Sequence, residues 1–299
     1  VVAVVVSYNR RDLLTASLTG VLGQDSELAA VVVVDNASDD GSADAARLVA
    51  PGAHVIELQR NIGGAGGFAV GIAAAIADHD ADWVWLMDDD TVPTPGAVGA
   101  LLAGARAANA VVAGSRVVWT DGSDHPMNTP RKHPLRRGTA DAVPVRSSSF
   151  VSMLVAADAV RRHGLPIADY FIWNDDFEYS TRLIRGASGV YVPGSVVEHR
   201  TKRLVSTDDD PGERFYYEVR NKLWMYRLSA SLNPLEKTVY GLATLRRWVR
   251  TFRRSADRGT LRAALRRGLA DGVRTRPRSN VDVAGGLDDA QRVLRAVAE

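Results

Sequence analysis

Asp88, Asp89 and Asp90 stand side by side directly after the apolar run Trp83 to Met87. Three adjacent carboxylates repel one another unless a cation or solvent neutralises them. If the apolar run is a strand, alternate residues point the same way, so Asp88 and Asp90 can share one cation while Asp89 faces elsewhere. Hard oxygen ligands suit Mg²⁺ or Mn²⁺, which bring substrate phosphates as further ligands and neutralise the charge building on a departing diphosphate. His199 follows a second apolar run, Val190 to Val197, with Glu198 beside it. A neutral imidazole there would complete a two-aspartate Mn²⁺ site; a structural or exposed histidine is the other reading.

Asn174, Asp175, Asp176, Phe177 and Glu178 form a second acidic cluster. Capping and the helix dipole explain one carboxylate at a helix start, but three exceed that need. The further role is to take a proton from an attacking hydroxyl, and Asp176 is the candidate base, with Asp175 and Glu178 next in line. Asn61, Gly63, Gly64, Gly66 and Gly67 open a third segment, where glycines let backbone amides approach a phosphate. Gly64, Gly66 and Ala69 also satisfy the looser dinucleotide fingerprint, which leaves a dehydrogenase open. The acidic residue expected about 20 positions on falls at Asp88 to Asp90, where three carboxylates exceed a ribose contact.

These residues need a scaffold that gathers loop ends. Val1 to Val6 is a β-branched run of the kind that strands buried on both faces require. Asp12 can cap a helix to about Leu22; Val31 to Val34, Val55 to Leu58, Val111 to Val118, Val151 to Ala156 and Val190 to Val197 read as further strands. Helices are expected over 42–49, from the glycines to about Ala77, from beyond Pro93 to about Asn109, and from about Asp175. Alternating strands and helices imply a mostly parallel α/β sheet with helices on both faces and ligands at the carboxyl ends of its strands. The segment Asp121 to Pro144, with His125 and His133, reads as a long flexible loop.

The chain of 299 residues, 46% hydrophobic, can bury one large α/β core with a smaller appended region. The division expected is a catalytic domain over 1–211 and a basic helical region over 212–299. Without cysteine there is no disulfide framework, thiolate zinc site or cysteine nucleophile. No run approaches the roughly 20 apolar residues of a membrane span. Val1 already lies in a strand-like run, so no signal peptide is expected, and the missing initiator Met implies a short preceding leader. The net charge of +2 hides an asymmetry: residues 212–299 hold 19 Lys or Arg against 9 Asp or Glu, leaving the body acidic. Such a tail suits an anionic partner surface, phospholipid or nucleic acid, or is a solvated arginine-rich face.

Ser7-Tyr8-Asn9-Arg10, Val33-Val34-Asp35-Asn36-Ala37-Ser38, Asn61-Ile62-Gly63-Gly64-Ala65-Gly66-Gly67-Phe68, Asp88-Asp89-Asp90 and Trp173-Asn174-Asp175-Asp176 together resemble the family 2 glycosyltransferases of the GT-A fold, from residue 1 to about 203. Within that family, Ala81 to Leu86 and Phe215-Tyr216-Tyr217 ahead of Arg220-Asn221 look like the actinobacterial galactofuranosyltransferases of cell-wall galactan. Rhamnosyltransferases using dTDP-rhamnose share much of the pattern. The resemblance implies an inverting, metal-dependent transfer from a UDP-sugar. Ser7, Tyr8, Asn9, Arg10 and Asp35 would bind the nucleotide sugar, together with Asn61, Gly63, Gly64, Asp88 and Asp89. Asp88, Asp90 and His199 would hold Mn²⁺ or Mg²⁺, Asp176 would be the base, and Trp173 and Asp175 would contact the acceptor. Asn174 occupies a position where relatives often carry Trp.

The acceptor in that family is a polyprenyl-diphosphate-linked glycan, which gives the tail a purpose at the cytoplasmic face of the plasma membrane. Leu245, Trp248, Val249 and Phe252 recur at helical spacing among Arg246, Arg247, Arg250, Arg253 and Arg254, as in a helix lying in a headgroup layer; packing on its own domain or a partner subunit is the other reading. The tail carries no RNA or DNA motif and the acidic body repels a phosphate backbone, so no nucleic-acid partner is expected. An oligomer is compatible with the sequence.

Overall fold

The computed structural model describes the chain except residues 25–27, 134, 202–209 and 299 and the side chain of Ala298, so Pro134 and residues 202–203 of the resemblance lie outside the described residues. Its strands are β1 (Val2–Ser7), β2 (Ala30–Asp35), β3 (His54–Glu57), β4 (Trp83–Asp88), β5 (Thr91–Pro93), β6 (Val112–Val118), β7 (Arg131–Lys132), β8 (Val143–Ser147), β9 (Met153–Ala156) and β10 (Gly189–His199). Its helices are α1 (Arg11–Leu22), α2 (Ser42–Val49), α3 (Gly63–Ala77), α4 (Ala97–Ala107), α5 (Ala157–His163), α6 (Asp175–Ile184), α7 (Phe215–Leu228), α8 (Pro234–Arg254), α9 (Arg258–Arg274), α10 (Asn280–Val283) and α11 (Asp288–Ala298).

The sheet runs β3-β2-β1-β4-β9-β6-β10-β8-β7, with β5 paired to β10. Alternation along β1 builds a core on each face. Val2, Val4 and Val6 pack with α3 residues such as Phe68 and Ile72, while Ala3 and Val5 pack with Leu14, Leu18 and Leu101 of α1 and α4. Glycine lets α3 close on β1: a Cβ at Gly67 or Gly71 would lie 2.5 Å from Val6 or 2.3 Å from Val4. The mostly parallel α/β reading holds, with β9 inserted antiparallel between β4 and β6.

The polar segment departs from the expected flexible loop. His125 is 1% exposed, Pro126–Asn128 forms a 3-10 turn, and Arg131–Lys132 pairs with β8, a strand the polar composition conceals. Asp12 does not cap α1, because Arg10 holds the N-cap position and the Arg11 amide donates to Asp40 Oδ2 at 2.9 Å.

The region after 212 divides in two. Phe215, Val219, Leu261 and Ala264 form a separate small core between α7 and α9. Val283, Leu287, Val293 and Leu294 instead return to the main core beside α3, so the terminal helices belong with the first 211 residues in packing. The face expected on α8 also splits. Trp248 and Phe252 pack edge-on to Phe215 at 5.8 and 5.7 Å, whereas Leu245 and Val249 remain 57% and 51% exposed. Aromatic area is better buried on the α7 ring than left at the surface.

Candidate active site

Strand β4 ends at Asp88, and Asp89 and Asp90 occupy the turn into β5. The turn, rather than strand alternation, therefore brings Asp88 and Asp90 together. Pairing of β5 with β10 sets His199 opposite Thr91, and the Arg200 amide donates to the Asp90 carbonyl at 2.8 Å. One ligand atom each from Asp88, Asp90 and His199 lie within 4.8 Å of one another. Asp90 Oδ1 is buried and 3.1 Å from His199 Nε2, and the imidazole holds the Asp90 carboxyl below its ordinary value against the cost of burial. His199 Nδ1 meets Asn128 Oδ1 at 3.1 Å, which fixes the tautomer that leaves a lone pair on Nε2. Two carboxylates and one imidazole with a fixed tautomer fit a divalent cation such as Mn²⁺ or Mg²⁺. Burial, then the charges of Asp90 and Asp89, push the Asp88 carboxyl well above its ordinary value, a cost that a cation removes.

Asp89 turns away, toward the β1 exit. Its Oδ2 accepts from the Tyr8 amide at 3.0 Å and its Oδ1 from Arg10 at 3.2 Å, and Arg10 also reaches Asp90. Asn9 joins this loop to the β2 exit: its amide donates to Ser38 Oγ at 2.9 Å and its Oδ1 accepts from the Asp39 amide at 2.8 Å. Asp35 Oδ1 accepts from the Ser38 amide at 2.8 Å, while its buried Oδ2 has no partner and is left for a ligand donor. Ser7 Oγ is likewise buried and unpartnered.

The glycine segment behaves differently from a phosphate cradle. The Gly63 amide donates to Asn61 Oδ1 at 2.7 Å, the Ala65 amide to the Phe171 carbonyl at 3.1 Å, and a Cβ on Gly63 would stand 2.2 Å from that carbonyl oxygen. Gly63 has φ of +78°, so backbone freedom and close packing together explain it. Gly63 thus packs against the loop before α6 and Asn61 holds its amide, whereas Gly64 has open space at its α-carbon.

That loop presents the second acidic pair. Phe171, Trp173 and Asn174 have φ of 66°, 70° and 65°, a strained run for residues with side chains. Buried Asn221 on α7 donates from Nδ2 toward the carbonyls of Tyr170, Ile172 and Trp173 at 2.9, 2.9 and 2.8 Å, and Arg220 donates to the carbonyls of Asp169 and Tyr170. These residues hold the strain, and the sequence reading gave them no role. Asn174, the N-cap residue, makes no capping bond and donates to Glu218 Oε2 at 2.8 Å instead. Asp175 and Asp176 are pushed up to about 8 and about 6, chiefly by burial. Their neighbours differ. Asp175 is pushed up by burial and then by the charge of Asp176, and its own charge adds last to those acting on Asp88, whereas Asp176 is held down by Lys222 and Arg131 and its Oδ1 accepts from the Phe177 amide at 2.6 Å. Glu178 is no candidate base: it is 1% exposed, paired with Arg182 at 2.8 Å, and accepts from Ser229 Oγ at 2.6 Å.

Residues 2–158 match the profile of Glycosyl transferase family 2. The galactofuranosyltransferase GlfT1 of Mycolicibacterium smegmatis is 30% identical over 294 residues, covering 85% of this chain and 95% of that protein. Among solved structures, S. aureus TarS 1-349 in complex with UDP-GlcNAc superposes with a TM-score of 0.62 at 16% identity over 99% of this chain and 91% of that one. The mannosyltransferase PcManGT from Pyrobaculum calidifontis, in complex with GDP-Man and Mn2+, gives 0.57 at 18% identity over 99% and 85%.

Proposed function

The chain belongs to glycosyltransferase family 2, with the GT-A fold, and from that premise we propose that it is an inverting, metal-dependent galactofuranosyltransferase. The donor would be UDP-galactofuranose and the acceptor a hydroxyl on a polyprenyl-diphosphate-linked cell-wall glycan. The convergence of Asp88, Asp90 and His199 beside the β1 and β2 exits carries the reading. Mn²⁺ or Mg²⁺ held there would neutralise the leaving diphosphate. Arg10 would add a second positive charge on the same side, and Tyr8, Asp35, Ser7 and Asn9 would line the nucleoside end. The relatives' name favours galactofuranose over rhamnose.

The sequence reading gave the base to Asp176 and acceptor contacts to Trp173 and Asp175. The charges around the pair support an exchange of roles: Asp175, whose charge acts on Asp88, would be the base, and Asp176, acted on by Lys222 and Arg131, would contact the acceptor with Trp173.

The acceptor's lipid would bring the protein to the cytoplasmic face of the membrane. No described helix is long and apolar enough to cross it. On α8, Leu235, Val239, Leu242, Leu245 and Val249 fall on one helical face and are 51 to 73% exposed, on a helix rich in arginine. That stripe replaces the Trp248 and Phe252 face as the surface for anionic headgroups. The decisive test is transfer from UDP-galactofuranose to a lipid-linked acceptor with Mn²⁺, with the product's anomeric configuration read by NMR. Hydrolysis or transfer of only another sugar nucleotide would overturn the donor assignment.

A further inference from the structure

We propose that Lys222 and Arg131 form a subsite for a phosphoryl anion of the acceptor, beside Asp176 and apart from the metal triad. Lys222, on α7, is 7% exposed and makes no hydrogen bond or ion pair with the described residues. Its ammonium stands 4.9 Å from the centroid of the Phe177 ring. Arg131, exposed on β7, lies 5.3 Å from that same centroid and 5.3 Å from the ring of Tyr240 on α8. Two cations from separate elements therefore converge on the ring of the residue that follows Asp176. A largely buried ammonium held only over an aromatic face is costly, and a second cation nearby raises the cost. Burial and then Arg131 push Lys222 down to about 7, with Asp176 only partly offsetting them.

A phosphoryl group resolves this arrangement. It carries up to two negative charges and several oxygens, enough to accept from a guanidinium fork and an ammonium together. The donor's diphosphate is the poorer match, because the cation acting on both Asp88 and Asp90 is Arg10, whereas Lys222 and Arg131 act on Asp176. Position on the acceptor side of α6 assigns the anion to the acceptor, and the inference in this respect rests on the proposed function. Tyr240 also ties the subsite to the helix whose exposed aliphatic stripe begins at Leu235, so a phosphoryl group here could continue into a lipid chain along α8.

The test uses the full chain, calorimetry and inorganic pyrophosphate in metal-free buffer, with Mn²⁺ and UDP as a separate titration. Wild type is expected to bind pyrophosphate, and Arg131→Gln and Lys222→Met each to weaken it about tenfold or more, as loss of one charge-assisted contact requires. Both variants should bind UDP with Mn²⁺ as wild type does. Arg131 is exposed, so its variant reports binding even if the Lys222 substitution disturbs packing. Unchanged pyrophosphate affinity would overturn the subsite, and so would weakened UDP binding, which would give the cations to the donor. Failure of wild type to bind pyrophosphate, with phosphatidylglycerol vesicle binding lost in both variants, would overturn it in favour of a bilayer headgroup contact.

Discussion

His199 Nε2 stands 3.1 Å from Asp90 Oδ1 because β10 pairs with β5 and delivers the imidazole to the turn after β4. The site is thus assembled by strand pairing across the sheet, and its metal affinity should follow ligand charge. We expect Asp90→Asn to abolish Mn²⁺ binding and transfer, and His199→Ala to weaken both less, since loss of a neutral ligand leaves two carboxylates. Asn128→Leu, which frees His199 Nδ1, should weaken Mn²⁺ by about 10 to 100-fold. Calorimetric titration with Mn²⁺ measures all three, and full transfer in excess EDTA would refute metal dependence outright.

How much of this was legible in the sequence depends on the reach of each signal. The β-branched runs and the Asp88 to Asp90 cluster are local signals, so the sheet and the acidic cluster at its strand end could be read directly. Asn128 and His125 could not: they sit in a polar segment whose composition mimics a flexible loop, yet His125 is buried against the His199 ring and Asn128 hydrogen-bonds to His199. The glycines are ambiguous for a related reason. A run of Gly63 to Gly67 looks the same whether backbone amides face a phosphate or a neighbouring carbonyl, and the carbonyl of Phe171 lies far away in sequence. Trp248 and Phe252 show the same limit, since helical spacing marks an apolar face without saying what covers it.

The division of α8 into two faces predicts separable effects. Leu242→Glu combined with Val249→Glu should leave the melting temperature nearly unchanged and reduce sedimentation with phosphatidylglycerol vesicles. Trp248→Ala should do the opposite, costing about 2 kcal/mol or more of stability through lost packing on Phe215. Equal vesicle binding by wild type and the double variant would remove the stripe as a docking surface.

Lys222 gives a pH dependence with a definite sign. Its folded value, down to about 7 from an ordinary 10.5, means that the unfolded chain binds more protons between those values. Stability contributed by this group therefore rises with pH across that window and is lost as pH falls toward 7. We expect Lys222→Met to raise the melting temperature at neutral pH and to flatten the rise between pH 7 and 10. An unchanged rise in the variant would mean that Lys222 keeps its proton in the folded chain.

The acidic pair at the start of α6 supports the sharpest prediction. Asp175 and Asp176 are adjacent in sequence, yet the charge of Asp175 acts on Asp88 while Asp176 is acted on by Lys222 and Arg131. If Asp175 takes the acceptor proton, Asp175→Asn keeps shape and removes only the proton acceptor. Transfer should then fall by about 10² to 10⁴-fold while UDP and Mn²⁺ still bind, because general-base removal acts on the transition state. Asp176→Asn should act mainly through the acceptor's KM, since its carboxylate faces the cations beside Phe177. Asn221→Leu is the positioning control: it removes the donor serving three loop carbonyls, and should lower kcat with donor affinity preserved if the strained loop aims the pair. Steady-state kinetics with donor and acceptor varied separately distinguishes the cases. A large kcat loss in Asp176→Asn, with Asp175→Asn near normal, would return the base to Asp176 and make the coupling of Asp175 to Asp88 purely electrostatic.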